Sequence, residues 1–94
     1  MIEEATVDAY TESEQRVGFF TIIEARLAVP FTTCVLGVEV SVERVDMNSA
    51  EEIVAICRRG RARQAIPIFQ LPLPKPPPRG AEWIEAYRRW MKGA

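Results

Sequence analysis

The sequence predicts an α+β fold, and three observations carry that reading. Apolar residues recur at helical spacing up to Pro30, at a spacing of two as far as Phe69, and at helical spacing again after Gly80. Gly37 and Gly60 punctuate the middle stretch where short strands would turn back on themselves. A proline-rich connection, Leu71 to Pro78, then separates those strands from the last helix.

Each element has its own signal. Thr6 to Tyr10 reads as a short extended lead-in. Thr11 and Glu14 form a Thr-x-x-Glu capping box, in which side chains satisfy the free N–H groups of a first helical turn. Glu12 and Glu14 also suit the positive end of the helix dipole. A helix is predicted over 11–28, with Val17, Phe20, Ile23 and Leu27 as its apolar line and Phe19 and Ile22 widening it. Glu14, Gly18, Thr21 and Ala25 line up on another side, where a neighbouring backbone could come close. Pro30 ends the helix, because the residue before a proline avoids the helical region.

The β body is predicted over 31–70. Phe31 to Leu36 and the alternating run Val38, Val40, Val42 read as strands broken by Gly37. Asp46 to Ala50 is turn chemistry. Ile53 to Cys57 is a further strand, Arg59-Gly60-Arg61 a hairpin tip, and Ala65 to Phe69 a returning strand that Pro67 confines to an edge or bulge. The strap over 71–80 lies across its own domain or serves as a polyproline ligand. A final helix over 81–91 carries Trp83, Ile84, Tyr87, Trp90 and Met91 on one face. Arg88, Arg89 and Lys92 suit its negative end. The whole, one domain over 1–94, fits a small, partly open SH3-like antiparallel β-barrel flanked by two helices. The alternative is a flatter sheet with both helices on one face.

Composition excludes several classes. The chain has no histidine, which removes the commonest metal ligand and the usual base of a nucleophile triad. Its two cysteines, Cys34 and Cys57, lack the spacing of a zinc site and read as small buried hydrophobes rather than a redox pair. There is no Gly-rich phosphate loop or nucleophile elbow, so no enzymatic activity is expected. No apolar run reaches the roughly 18 residues of a membrane span. The acidic first residues lead into no signal-peptide core, so the expected location is cytoplasmic.

Charge is divided unevenly. Met1 to Cys57 carries a net −8 and Arg58 to Ala94 a net +7, against a total of −1. Such a dipolar chain could self-associate through unlike faces.

The block Asp8-Ala9-Tyr10-Thr11-Glu12-Ser13-Glu14-Gln15, followed by Gly18, Glu24, Arg26-Leu27 and Pro30-Phe31, resembles the opening of the small bacterial calcium-binding proteins of the CcbP type. Gly37-Val38-Glu39-Val40, Ala65-Ile66-Pro67-Ile68, Gln70-Leu71 and the Trp83…Trp90 helix have counterparts there in the same order. The resemblance implies an SH3-like body with flanking helices and calcium held by surface carboxylates without an EF-hand. It also implies a role in buffering or sensing calcium. This chain departs from the family in its short connection over 46–52, in Ala25 where the family is acidic, and in its arginine-rich hairpin.

Two sets of residues are candidates for binding. Calcium takes six to eight oxygens, several of them from carboxylates. The candidate ligands are Asp8, Glu12, Asp46, Glu51 and Glu52. Asp46-x-Asn48 begins like an EF-hand loop but lacks the third ligand spacing and the central glycine. A bare turn with solvated charges explains the same residues without an ion. The second set is Arg58, Arg59, Arg61 and Arg63, a basic tip for an anionic or protein partner. Nucleic acid is disfavoured, since no aromatic residues interleave these arginines to stack bases.

Overall fold

The computed structural model describes residues 12–93. In chain order the elements are α1 (Glu12–Arg26), β1 (Phe31–Val35), β2 (Val38–Met47), β3 (Ile53–Arg59), β4 (Ala62–Pro67), a 3-10 turn (Ile68–Gln70) and α2 (Ala81–Gly93). The strands form one antiparallel sheet in the order β1-β2-β3-β4, open between β1 and β4. The α+β class, the open antiparallel sheet and the flanking helices are those expected from the sequence.

Alternation decides which residues face inward. The register puts Phe31, Thr33 and Val35 of β1 beside Val42, Val40 and Val38 of β2 on the inner face. A shift between Val42 and Arg44 then inserts one residue, Glu43, so Val45 and Met47 return to that face. Without this bulge Arg44 would point into the core. On β3, Ile53, Ala55 and Cys57 are buried on the same side.

Both helices share the core with that face. From α1, Phe19 and Ile23 are buried, and Leu27 just past its end continues the step of four. From α2, Trp83, Ile84, Tyr87 and Trp90 join them in one cluster with Val42, Val45, Ile53 and Ala55. Each such side chain contributes about 1.5–3 kcal/mol by leaving water. Phe19 sits at the centre, its ring 5.4 Å from Tyr87 at an edge-on angle and 5.4 Å from Trp90.

The strap is an internal clamp. Leu71 is fully buried, and the Thr33 hydroxyl, also buried, donates to the Pro72 carbonyl at 2.7 Å. The chain thus crosses from the β4 side to the β1 side, over the open part of the sheet. Arg88 of α2 donates to the carbonyls of Ile68 (3.3 Å) and Leu71 and pairs with Glu85 at 3.6 Å, so a charged donor satisfies backbone acceptors left free where the strap begins. At the far end, the Ala28 N–H donates to the Arg79 carbonyl at 2.7 Å.

Several local expectations are corrected. α1 ends at Arg26 rather than near residue 28, because Ala28 turns its N–H to the strap. Asp46 and Met47 lie in β2, paired with Val54 and Ile53, so the turn begins only at Asn48. β4 ends at Pro67, and Ile68 and Phe69 form the 3-10 turn because proline offers no N–H to extend the ladder. Cys34 is exposed, not buried, since the alternation that buries Thr33 turns its neighbour outward. Val17 is 46% exposed because two residues from Phe19 is over half a turn round the helix. Thr21 and Ala25 face solvent rather than a neighbouring backbone. Thr11, and with it the capping box, lies outside the described residues.

Candidate functional site

The acidic candidates gather loosely at one end of the molecule. The β2–β3 loop is shaped by Asn48, whose side-chain oxygen accepts from the N–H groups of Ala50 and Glu52, both at 2.9 Å. Its amide nitrogen donates to the Glu52 carboxylate at 3.2 Å. Glu51 takes a positive φ of 62° and accepts from the Ser13 hydroxyl of α1 at 2.9 Å. The loop and the first turn of α1 therefore meet, which brings Glu12, Glu51 and Glu52 to the same end.

A cation already occupies that junction, and it is Arg16. Its guanidinium pairs with the Glu12 carboxylate at 3.3 Å, donates to the Glu51 carbonyl at 3.5 Å and lies 5.7 Å from the Trp90 ring centre. Trp90 is fixed in turn by donating to Gln15 at 2.9 Å. Asp46 is held apart from this group. It accepts from Arg44 and from the Met47 N–H, at 2.9 and 2.8 Å, and these bonds, Arg44 first, keep its carboxyl below the usual carboxylate range. Among the described residues, no group of three or more acidic or cysteine side chains is close enough to hold a metal ion. Asp8 lies outside the described residues.

The four arginines of the β3–β4 hairpin are divided into two pairs by the sheet. Arg58 and Arg63 face each other across the strands on the outer face and share one carboxylate. Glu43, set out by the bulge, accepts Arg63 at 2.9 Å and lies 3.6 Å from Arg58. Arg59 and Arg61 make no ion pair or hydrogen bond among the described residues. Arg61 stands at the turn beside Gly60, whose φ of 58° is the conformation a two-residue hairpin requires there. Arg59 has the strand parity of Ala55 and Cys57, so it lies on the inner face.

That parity exposes a feature the sequence reading missed. The helices cover only part of the inner face. Near the two hairpin tips a groove of about 510 Å³ is left, floored by Val35, Val38, Val40, Cys57 and Ile66 and edged by Arg59, Gln64 and Gln70. Burial pushes the Cys57 thiol up, so the floor stays uncharged at neutral pH. The signal was present in part: apart from Thr33, the inner-face residues of β1 and β2 are apolar up to the hairpin that joins them.

Leu36 marks the lip of this groove. It is 98% exposed, and with Gly37 it forms a two-residue turn at φ values of 52° and 79°. Left-handed backbone costs a non-glycine residue about 1–2 kcal/mol, and asparagine tolerates it best. Leu36→Asn is therefore expected to raise stability by about 0.5–1.5 kcal/mol in urea unfolding, since no buried apolar contact is lost.

Among the described residues, no helix is long and apolar enough to cross a membrane. No family model, no curated protein and no solved structure matches this chain.

Proposed function

We propose that this domain is a non-catalytic binding module that engages an anionic partner at its β3–β4 hairpin. The observation that carries the reading is the division of the arginines. Arg58 and Arg63 share the single Glu43 carboxylate, while among the described residues Arg59 and Arg61 have no ion-pair partner and stand beside a groove whose lining contains no carboxylate. Unpaired guanidinium groups of this kind are suited to carboxylate or phosphate oxygens. The proline strap is spent on its own domain, by way of Leu71 and Pro72, and is not the contact surface in this reading. The expected result is retention on a heparin matrix at low ionic strength, lost with Arg59→Ala plus Arg61→Ala. Retention that survives the double substitution would overturn the assignment.

A second reading, calcium binding at the acidic end, is supported by the CcbP-type resemblance and by the meeting of α1 with the loop bearing Glu51 and Glu52. The residues for it are Glu12, Glu51 and Glu52, with Asp46 and Asp8 as the more distant candidates. Arg16 competes for the same oxygens. Calorimetric titration with calcium should therefore give weak heats, and tighter binding after Arg16→Gln. No heat from either protein up to millimolar calcium would sink this reading.

A further inference from the structure

Among the described residues, the groove beside Arg59 combines a size, a polarity and an unpaired guanidinium that together specify a ligand. Its volume of about 510 Å³ falls within the usual range for small-molecule sites. The floor is made of aliphatic side chains from β1, β2 and β4, so it gains most from an apolar chain leaving water.

One end of the floor is different. Arg59 lies on the inner face with a guanidinium that has no partner among the described residues, and Gln64 and Gln70 line the same rim. Arg63 also touches the groove, but its guanidinium is held by the Glu43 carboxylate at 2.9 Å, and its strand parity puts it on the outer face. The nearest strand carboxylate on β2, Glu39, pairs across from Cys34 on the opposite face of the sheet. Among the described residues the site therefore offers an apolar bed, the unpaired Arg59 guanidinium and amide donors, with no carboxylate in its lining to repel a ligand.

From this arrangement we infer that the groove binds a free aliphatic carboxylate. Its chain would lie over Val35, Val38, Val40 and Ile66, and its head group would meet Arg59. This inference rests on the binding-module reading and gives that module its ligand class. A charged side chain on the uncovered part of the inner face can also serve only to keep that apolar surface from associating between molecules. That role would make Arg59 matter for aggregation and leave ligand affinity unchanged.

The test is titration of the ¹⁵N-labelled full chain with sodium decanoate below its micelle concentration, followed by amide shifts, with decanol as the uncharged counterpart. Saturable shifts confined to Val35, Val38, Val40, Ile66 and their neighbours are expected, with decanoate binding about tenfold tighter than decanol. Arg59→Gln should remove that tenfold preference and leave decanol binding unchanged. Ala62→Trp, a substitution at an exposed groove-lining position, should abolish both by filling the space.

Equal decanoate affinity in Arg59→Gln would overturn the carboxylate assignment. Absence of saturable shifts with either compound would overturn the groove as a ligand site. In that case heparin retention through Arg59 and Arg61 would still decide the module reading separately. Tighter binding of an acetylated leucine-rich peptide with a free C-terminus would replace the small molecule by a chain end.

Discussion

Phe19→Ala is expected to lower the unfolding free energy by about 4 kcal/mol, a large share of the stability of a domain this size. Phe19 is fully buried and is the ring on which α2 rests, packed against both Tyr87 and Trp90. Truncation removes the transfer free energy of a phenyl group and leaves a cavity between two helices. The cavity cannot close readily. Trp90 is tied to Gln15 and lies under Arg16, and Tyr87 is stacked on Trp90 with ring centres 5.9 Å apart. Urea unfolding followed by tryptophan fluorescence reads the loss directly, because one of the two tryptophans is part of the lesion. Phe20→Ala is the control. That ring is only half-buried, packs at the edge of the core, and should cost about half as much or less. Equal effects at the two positions would mean that Phe19 is not the anchor of the helix pair.

The fold was legible because its signals are local and repeated. The change of spacing at Pro30, the break at Gly37 and the Trp83-to-Trp90 stripe each followed from one backbone period. What escaped were features that depend on where the sheet bends or ends. Glu43 looks like any outward residue in an alternating run, and only the bulge sets it between Arg58 and Arg63. The basic tip therefore read as four equal arginines, whereas pairing leaves two free. Arg59 was within reach, because counting by twos from Ala55 and Cys57 puts it inside.

The acidic end was harder to read. Glu12 and Glu51 are far apart in the chain and come to the same end only because α1 packs over the sheet, where Ser13 meets Glu51. The Glu12–Arg16 pair is an i,i+4 spacing that the sequence shows, but that Arg16 would also reach the Glu51 carbonyl is a property of the packing. A binding role for either end thus depends on charge pairing decided by tertiary structure. The same physics connects the two readings: where a guanidinium already has its carboxylate, as at Arg16, Arg58 and Arg63, the site is closed to weak ligands. Where none of the described residues supplies one, as at Arg59 and Arg61, ligand binding breaks no ion pair among them.

Gly80→Ala should be about as damaging as the loss of Phe19, costing about 4 kcal/mol, although it only adds a methyl group. Gly80 takes a φ of 91°, outside the range that L side chains readily adopt. A Cβ there would stand 2.6 Å from the Arg26 carbonyl carbon and 2.7 Å from the Leu27 Cα, and closer still to the Arg26 oxygen. All three atoms are backbone, so no side chain can swing aside. Nor can Gly80 itself retreat. The Arg79 carbonyl next to it holds the Ala28 N–H, and the Gly80 carbonyl accepts from Trp83 in the first turn of α2. Relief would mean drawing α2 off the end of α1, and with it the aromatic cluster. Gly60→Ala separates the two contributions, because Gly60 also has positive φ but nothing lies within 4 Å of its added Cβ. It should cost only the backbone penalty of about 1–2 kcal/mol. Thermal or urea unfolding of the two variants side by side then isolates the steric part. Equal losses would show that α1 and the start of α2 are not locked together at Gly80.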